Sequence, residues 1–303
     1  MFATTLAFVR LSRPKFLIGG LIGGALGTAL ANHVAGRFDP RAYALAQLTI
    51  TAFHLMTHYA NDYFDRACDA RSVRTPYSGG SGALVDGSLH PRVALRAALG
   101  CAGLGAIGVA ALGLLAHAGI AAAVGASLGA LAWAYSAPPL RLLARGLGEL
   151  DTAVIVAILV PLCAYAAQRP PLVVLALAST LPGAAAMFAM MLAVEFPDLA
   201  SDTVGGKRNL VVRFGPARAR SFALAAVVAT YGAVAIALAC GAPPALAFLE
   251  LLSLPAAVGL GRALRSRATG RGVADEVLAG RGVAFFVVVT FDALLAYAVA
   301  GRG

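Results

Sequence analysis

Asn61–Asp69 read NDYFDRACD, and Glu195–Asp202 read EFPDLASD. The acids fall at 62, 65 and 69 in the first stretch and at 195, 198 and 202 in the second, so both are spaced three and then four. On a helix, that spacing lines one face. Each stretch is therefore expected to project three carboxylates into one small volume. Like charges one turn apart repel. A carboxylate within a membrane helix also costs roughly 2.5–3.5 kcal/mol on insertion scales. Six such acids, out of 14 in the chain, call for a counter-charge.

The surroundings make that cost real. Of 303 residues, 60% are hydrophobic and 13% are charged, against about 25% charged in ordinary soluble domains. Mean hydropathy is +0.81. Long runs of Ala, Leu, Val and Gly dominate, without the two-residue alternation of an outer-membrane barrel. Such runs read as spanning helices. Nine are expected, at 14–36, 43–60, 92–115, 118–136, 150–167, 171–196, 217–239, 242–262 and 280–300. The first is read as a span, not as a cleaved leader, because no small-residue cleavage site follows it. The fold class expected is all-α: one polytopic membrane domain over 1–303, its helices around a central cavity.

Nine spans separate the loops into two sets. One set, with the N-terminus, holds 19 of the 24 Lys and Arg residues and the other holds four. The positive-inside rule then predicts a cytoplasmic N-terminus and an external C-terminus in the plasma (inner) membrane. It places both acidic stretches on the cytoplasmic side. The net charge of +10 sits in short loops beside spans, as topology and anionic headgroups require. No aromatic-basic motif points to nucleic acid. The four cysteines form no CxxC pair, so neither a disulfide nor a zinc site is expected. Nothing in the sequence requires a protein partner.

Paired carboxylate clusters on one side of a membrane suit a hard divalent cation. Mg²⁺ prefers carboxylate oxygens and leaves positions open for phosphate oxygens. The expected metal ligands are Asp62, Asp65, Asp69, Glu195, Asp198 and Asp202. A diphosphate held there needs positive charge as it leaves. Lys207 and Arg74 are the first candidates for that role, with Arg141 next and Arg208, Arg71 and Arg13 behind them. Positive-inside topology explains such bases as a class, but no single position. Asn61 carries an amide that can reach metal or diphosphate. His58 lies one turn before it, with His54 a turn further into the span; an interhelical hydrogen bond is the ordinary alternative for both. Glu149 and Asp151 begin the fifth span and could orient or deprotonate an acceptor, or complement a helix dipole. The glycines at 79, 80 and 82 read as a flexible loop in preference to a phosphate cradle.

These motifs resemble those of the UbiA superfamily of intramembrane prenyltransferases. NDYFDRACD is similar to that family's first motif, DLASD to its second, and nine spans agree with its fold. GKRNLVVRFG at Gly206–Gly215 and YSAPPLRLLARGLGE at Tyr135–Glu149 resemble its menaquinone-pathway branch, the dihydroxynaphthoate polyprenyltransferases. The resemblance implies Mg²⁺ as cofactor, a prenyl diphosphate as donor and an aromatic acceptor. It implies diphosphate contacts from the bases named above and a pocket lined by Tyr135 and Ser136. Other relatives use non-aromatic acceptors or cyclise a prenyl diphosphate; an intact first motif favours transfer. A cation transporter is disfavoured, because the acids sit at one membrane face and no inverted repeat is evident.

Overall fold

The computed structural model describes residues 2–72, 74–77, 79–266 and 272–301. Arg267, Arg271 and Arg302, counted above among the loop bases, lie outside the described residues, as does Ser78 of the glycine-rich loop. The described residues contain helices and no strand. That is what lipid demands of a chain whose backbone must satisfy its own hydrogen bonds.

The α-helices in chain order are α1 (Phe2–Ser12), α2 (Leu17–Ala35), α3 (Pro40–Asp69), α4 (Pro91–Leu114), α5 (Gly119–Ser136), α6 (Gly148–Thr152), α7 (Val160–Ala167), α8 (Val174–Ala178), α9 (Leu181–Glu195), α10 (Leu199–Gly205), α11 (Leu210–Ala239), α12 (Ala245–Glu250), α13 (Leu254–Arg265) and α14 (Gly272–Ala300). Joined across their breaks, they give eight segments among the described residues that are long and apolar enough to cross a membrane. The ninth expected span lies in α3. That helix is long enough, at 30 residues, but histidines, Asn61 and three aspartates make it less apolar than the rest.

Several spans expected as single helices are broken. The first is preceded by α1, and the two are separated at Arg13, whose backbone is left-handed (φ 45°) just before Pro14. Residues 148–167 contain a π-helical stretch, Ala153–Leu159, between α6 and α7. Residues 245–265 turn through a 3₁₀ segment, Leu251–Ser253. α11 is interrupted at Gly215 (φ 78°), before Pro216.

α3 determines where the site lies. Asp39 caps it, accepting from the backbone N–H groups of Arg41 and Ala42 at 2.9 and 3.2 Å, and Pro40 begins it. At 1.5 Å per residue it runs about 45 Å, against a hydrocarbon core of about 30 Å. The turns carrying Asn61–Asp69 therefore extend past the apolar layer. Two groups of helices build the bundle, and α3 belongs to the first. Ile50, Phe53, Leu128, Cys163 and Ala164 join α3, α5 and α7. Leu192, Val211, Ala223, Leu260 and Phe285 join α9, α11, α13 and α14. Small residues let backbones approach: a Cβ on Gly27 of α2 would collide with the Pro161 carbonyl of α7. Leu104, Ile107, Leu114, Val228 and Phe248 are exposed and form the face offered to lipid. Between the two groups lies a cavity of about 240 Å³.

Candidate active site

The first acidic stretch sits as the spacing predicts. α3 continues unbroken through Asp69 because no glycine or proline interrupts it after Pro40. Asp62 and Asp65 are buried. Asp62 forms an ion pair with Arg13 and accepts from the backbone N–H of Ser81 at 3.2 Å and from its hydroxyl. Arg13 also donates to the amide oxygen of Asn61 at 3.3 Å. Asn61 in turn donates to Asp65 Oδ2 at 3.0 Å and to Ser136 Oγ at 3.2 Å.

The second stretch departs from the expectation of one helical face. α9 ends at Glu195, residues 196–198 form a turn, and α10 starts at Leu199. Pro197 is the cause: it lacks an N–H and its ring clashes with the carbonyl four residues back. The three acids therefore take separate posts. Asp202 lies in α10 and accepts from Asn209 Nδ2 at 2.8 Å. Asp198, at the N-cap of α10, accepts from Gly79 N–H at 3.1 Å. Glu195 is buried and faces the carboxyl of Glu149.

Lys207 joins the two stretches. Its ammonium stands 3.1 Å from Asp65 Oδ2 and 3.3 Å from Asp202 Oδ1. Its backbone N–H is held by the Asp202 carbonyl at 3.0 Å. Burial alone would lower the Lys207 pKa, but Asp65 and Asp202 outweigh it and the net shift is upward. One cation thus spans carboxylates from both motifs.

The glycine-rich loop is a structural clasp, not a loose connector. Gly79, Gly80 and Gly82 all have positive φ, at 76°, 68° and 77°, which glycine adopts at little cost. Gly79 meets Asp198, a Cβ on Gly80 would strike the Asp69 carboxylate, and Ser81 holds Asp62. The loop therefore touches both motifs.

Two spaces adjoin this cluster. The cavity is mostly apolar, lined by Phe16, Phe53, Ile155, Met187 and Phe286 among others. Its polar wall is made by Arg13, Lys15, Asn61, Tyr77, Tyr135 and the histidines 54 and 58. The π-helical stretch supplies Ile155 and Val156; such stretches recur at functional sites. Beside it lies a basin of about 250 Å³ bordered by Arg10, Arg13, Lys15 and Arg74 with Thr75, Tyr77 and Ser81. Arg13, Lys15, Phe16 and Tyr77 line both spaces. The Lys15 ammonium lies 4.9 Å from the Phe16 ring centroid and 5.1 Å from that of Tyr77, a cation–π arrangement that holds it at the junction.

The remaining expected residues divide. Tyr135, Asn61 and His58 reach the cavity, and Arg74 borders the basin. Arg71, Arg141 and Arg208 are exposed. Arg141 begins a 3₁₀ turn in left-handed backbone (φ 46°), and Arg208 engages the Ala144 carbonyl through its backbone at 3.1 Å. Glu149 is fully buried and accepts from the backbone N–H of Leu210, so it complements the start of α11 and not only its own helix. Lys15 and Tyr77 were not among the expected site residues, Ser81 entered only as part of the glycine-rich loop, and Arg13 ranked low. The signal for Arg13 and Lys15 was a base on either side of Pro14 at the membrane edge.

The donor chemistry suits a hard cation, although among the described residues no three of these side chains converge on one metal-sized point. The donor set consists of carboxylate oxygens, and Glu195 Oε1, Glu195 Oε2 and Glu149 Oε2 are buried without a hydrogen-bond donor. Unmet lone pairs in a buried place favour a cation or a proton.

A helical membrane bundle with an acid–base cluster above an apolar cavity defines a class of intramembrane proteins that handle one polar and one greasy partner. The chain belongs to the UbiA prenyltransferase family, whose model matches residues 16–296, and it is a prenyltransferase by that membership. Its fold is similar to that of a UbiA homolog from Archaeoglobus fulgidus solved with GPP and Mg²⁺ (16% identity, 95% of this chain and 99% of that chain, TM-score 0.70). It is similar to an apo UbiA homolog from Aeropyrum pernix K1 (15% identity, 94% and 98%, TM-score 0.70). A digeranylgeranylglyceryl phosphate synthase shares the fold as well (14% identity, 98% and 99%, TM-score 0.68). No curated protein matches the sequence.

Proposed function

We propose that the chain transfers an isoprenyl group from a prenyl diphosphate to an aromatic acceptor of the dihydroxynaphthoate type, with Mg²⁺ as cofactor and release of pyrophosphate. The observation that carries this reading is the Lys207 bridge between Asp65 and Asp202, joined through Asn61 to the polar wall of an apolar cavity. Asp62, Asp65, Asp69, Glu195, Asp198 and Asp202 would hold the metal. Bound there, Mg²⁺ supplies Lewis-acid stabilisation of the leaving diphosphate.

The chain's own residues do the rest. Lys207, Arg13, Lys15 and Arg74 present positive charge to the diphosphate as negative charge builds on it. Asn61 orients Asp65 and Ser136. Phe16, Phe53, Met187 and Phe286 receive the hydrocarbon tail and exclude water from the allylic carbon. The rings of Phe16, Phe53, Tyr135 and the paired histidines favour a flat acceptor. By the distribution of basic loops, this site faces the cytoplasm.

The basic basin supports a second reading, in which the acceptor carries a phosphate, as a glyceryl phosphate does. Radiolabelled geranylgeranyl diphosphate and Mg²⁺, incubated with purified protein and either dihydroxynaphthoate or glyceryl phosphate, separate the two. A lipid-soluble product with the naphthoate supports the first reading. A product with glyceryl phosphate alone replaces it with the second. Consumption with neither acceptor sinks both.

A further inference from the structure

We propose that His58 is the general base of the transfer step, taking the hydroxyl proton of the acceptor on Nε2. This rests on the prenyl-transfer reading above and names a group that reading leaves open.

The case begins at the end of α1. The last carbonyls of a helix have no partner within it, and Arg13 turns left-handed immediately afterwards. The carbonyl of Ser12 is thereby presented sideways, and His58 Nδ1 meets it at 2.9 Å. A carbonyl only accepts, so Nδ1 carries the hydrogen and Nε2 keeps its lone pair. Ser12 is itself held. Its hydroxyl donates to the Phe8 carbonyl at 3.0 Å and lies 2.8 Å from the Tyr59 hydroxyl. The imidazole is therefore fixed through a rigid acceptor, the arrangement by which a histidine base is oriented elsewhere. Its ring is also packed against His54 (centroids 4.7 Å apart, 63°) and against the edge of Phe16 (6.4 Å, 74°).

Location supplies the second half. His58 lines the apolar cavity one turn below Asn61, between the acid–base cluster and the tail-binding wall. A base there meets the acceptor and stands apart from the diphosphate. The step balances as follows. The bond from the allylic carbon to the diphosphate oxygen breaks, and its electron pair leaves on that oxygen. The acceptor hydroxyl gives its proton to Nε2 and keeps the pair. A new bond then forms to the allylic carbon from the acceptor oxygen, or from a ring carbon of the phenolate; that carbon afterwards returns its hydrogen to the oxygen or, where it carries a carboxylate as in dihydroxynaphthoate, releases CO₂ and leaves the electron pair to restore the ring.

The test uses the full chain in detergent or lipid with geranylgeranyl diphosphate, Mg²⁺ and dihydroxynaphthoate or glyceryl phosphate, comparing wild type with His58→Gln. Glutamine can still donate to the Ser12 carbonyl but cannot take a proton. The expected result is a fall in kcat of about a hundredfold or more, with little change in acceptor KM. Thermal stabilisation by prenyl diphosphate and Mg²⁺ should be retained, showing an intact fold and donor site. A ring-fluorinated phenolic acceptor, with a more acidic hydroxyl, should lose less rate. Near-wild-type kcat in the variant would overturn the proposal, as would an equal loss for acidic and ordinary acceptors. Absence of product from the wild type with every acceptor would instead reject the underlying reading, and the proposal with it.

Discussion

The two acidic stretches share one spacing and differ in build. Asn61–Asp69 ends a continuous 30-residue helix, whereas Glu195–Asp202 is divided by Pro197 into a helix end, a turn and a short helix. The first stretch is rigid and presents Asp62 and Asp65 together, paired with Arg13 and Lys207. The second distributes its acids: Asp202 to Lys207, Asp198 to the glycine-rich loop, Glu195 to the buried face of Glu149. Equal spacing can therefore serve as a platform on one side of a site and as a set of separate clamps on the other.

The comparison can be broken most forcefully at the bridge. Asp65→Asn and Asp202→Asn each remove one partner of the partly buried Lys207 ammonium. Each variant leaves Lys207 with a single carboxylate partner and deletes one expected metal ligand, so prenyl transfer should fall on the order of a hundredfold to a thousandfold in either one. Similar losses from the two motifs would show that they act on one site; a small loss from one alone would separate them.

The next effect tests the platform. A double-mutant cycle of Arg13→Ala with Asp62→Asn should give a coupling of about 0.5–3 kcal/mol in prenyl-diphosphate affinity. Additive effects would mean that the ion pair contributes nothing to binding. For the clamps, Gly80→Ala forces a left-handed backbone and pushes a methyl against Asp69. It should lower thermal stability by about 1–2 kcal/mol and weaken donor binding, as read by thermal shift. Pro197→Ala allows α9 to run on into α10. It should cut transfer about tenfold through misplacement of Asp198 and Asp202 while leaving stability near wild type. An unchanged rate would make the break incidental.

The smallest effects belong to the exposed bases and to pH. Arg141→Ala and Arg208→Ala should alter kcat/KM less than about threefold, as exposed charges usually do. Lys207 has a pKa raised above the ordinary lysine value. Its ion-pair contribution is then fully present below that ordinary value, about 10.4, and is lost only as pH rises through the higher folded value. The ratio of wild-type to Lys207→Met activity should accordingly stay flat from pH 6 to 9. A ratio that collapses towards pH 9 would contradict the bridge.

Much of this was legible in the chain. Apolar runs and loop charge gave the helical membrane class, because lipid leaves few other solutions for the backbone. The acids and Lys207 could be named because charge at a membrane edge is expensive and therefore informative. What escaped depended on contacts distant in sequence. Arg13 pairs with Asp62 across 49 positions, and Gly79 reaches Asp198 across 119. No local pattern encodes such separations. Pro197 was visible, and a proline in mid-helix kinks or breaks it, so the spacing alone could not place all three acids on one face. The Gly79–Gly82 loop looked flexible because glycine marks both freedom and positive φ; only its three-dimensional partners decide between them.

The most direct test is pyrophosphate release from geranylgeranyl diphosphate by the wild type, Asp65→Asn and Asp202→Asn, each with Mg²⁺ or with EDTA and in the presence of acceptor. The account predicts rapid release from the wild type with Mg²⁺, and release lower by at least about two orders of magnitude in the other five conditions. Release that survives EDTA, or that survives loss of either motif alone, would contradict a single cation-dependent site built from both.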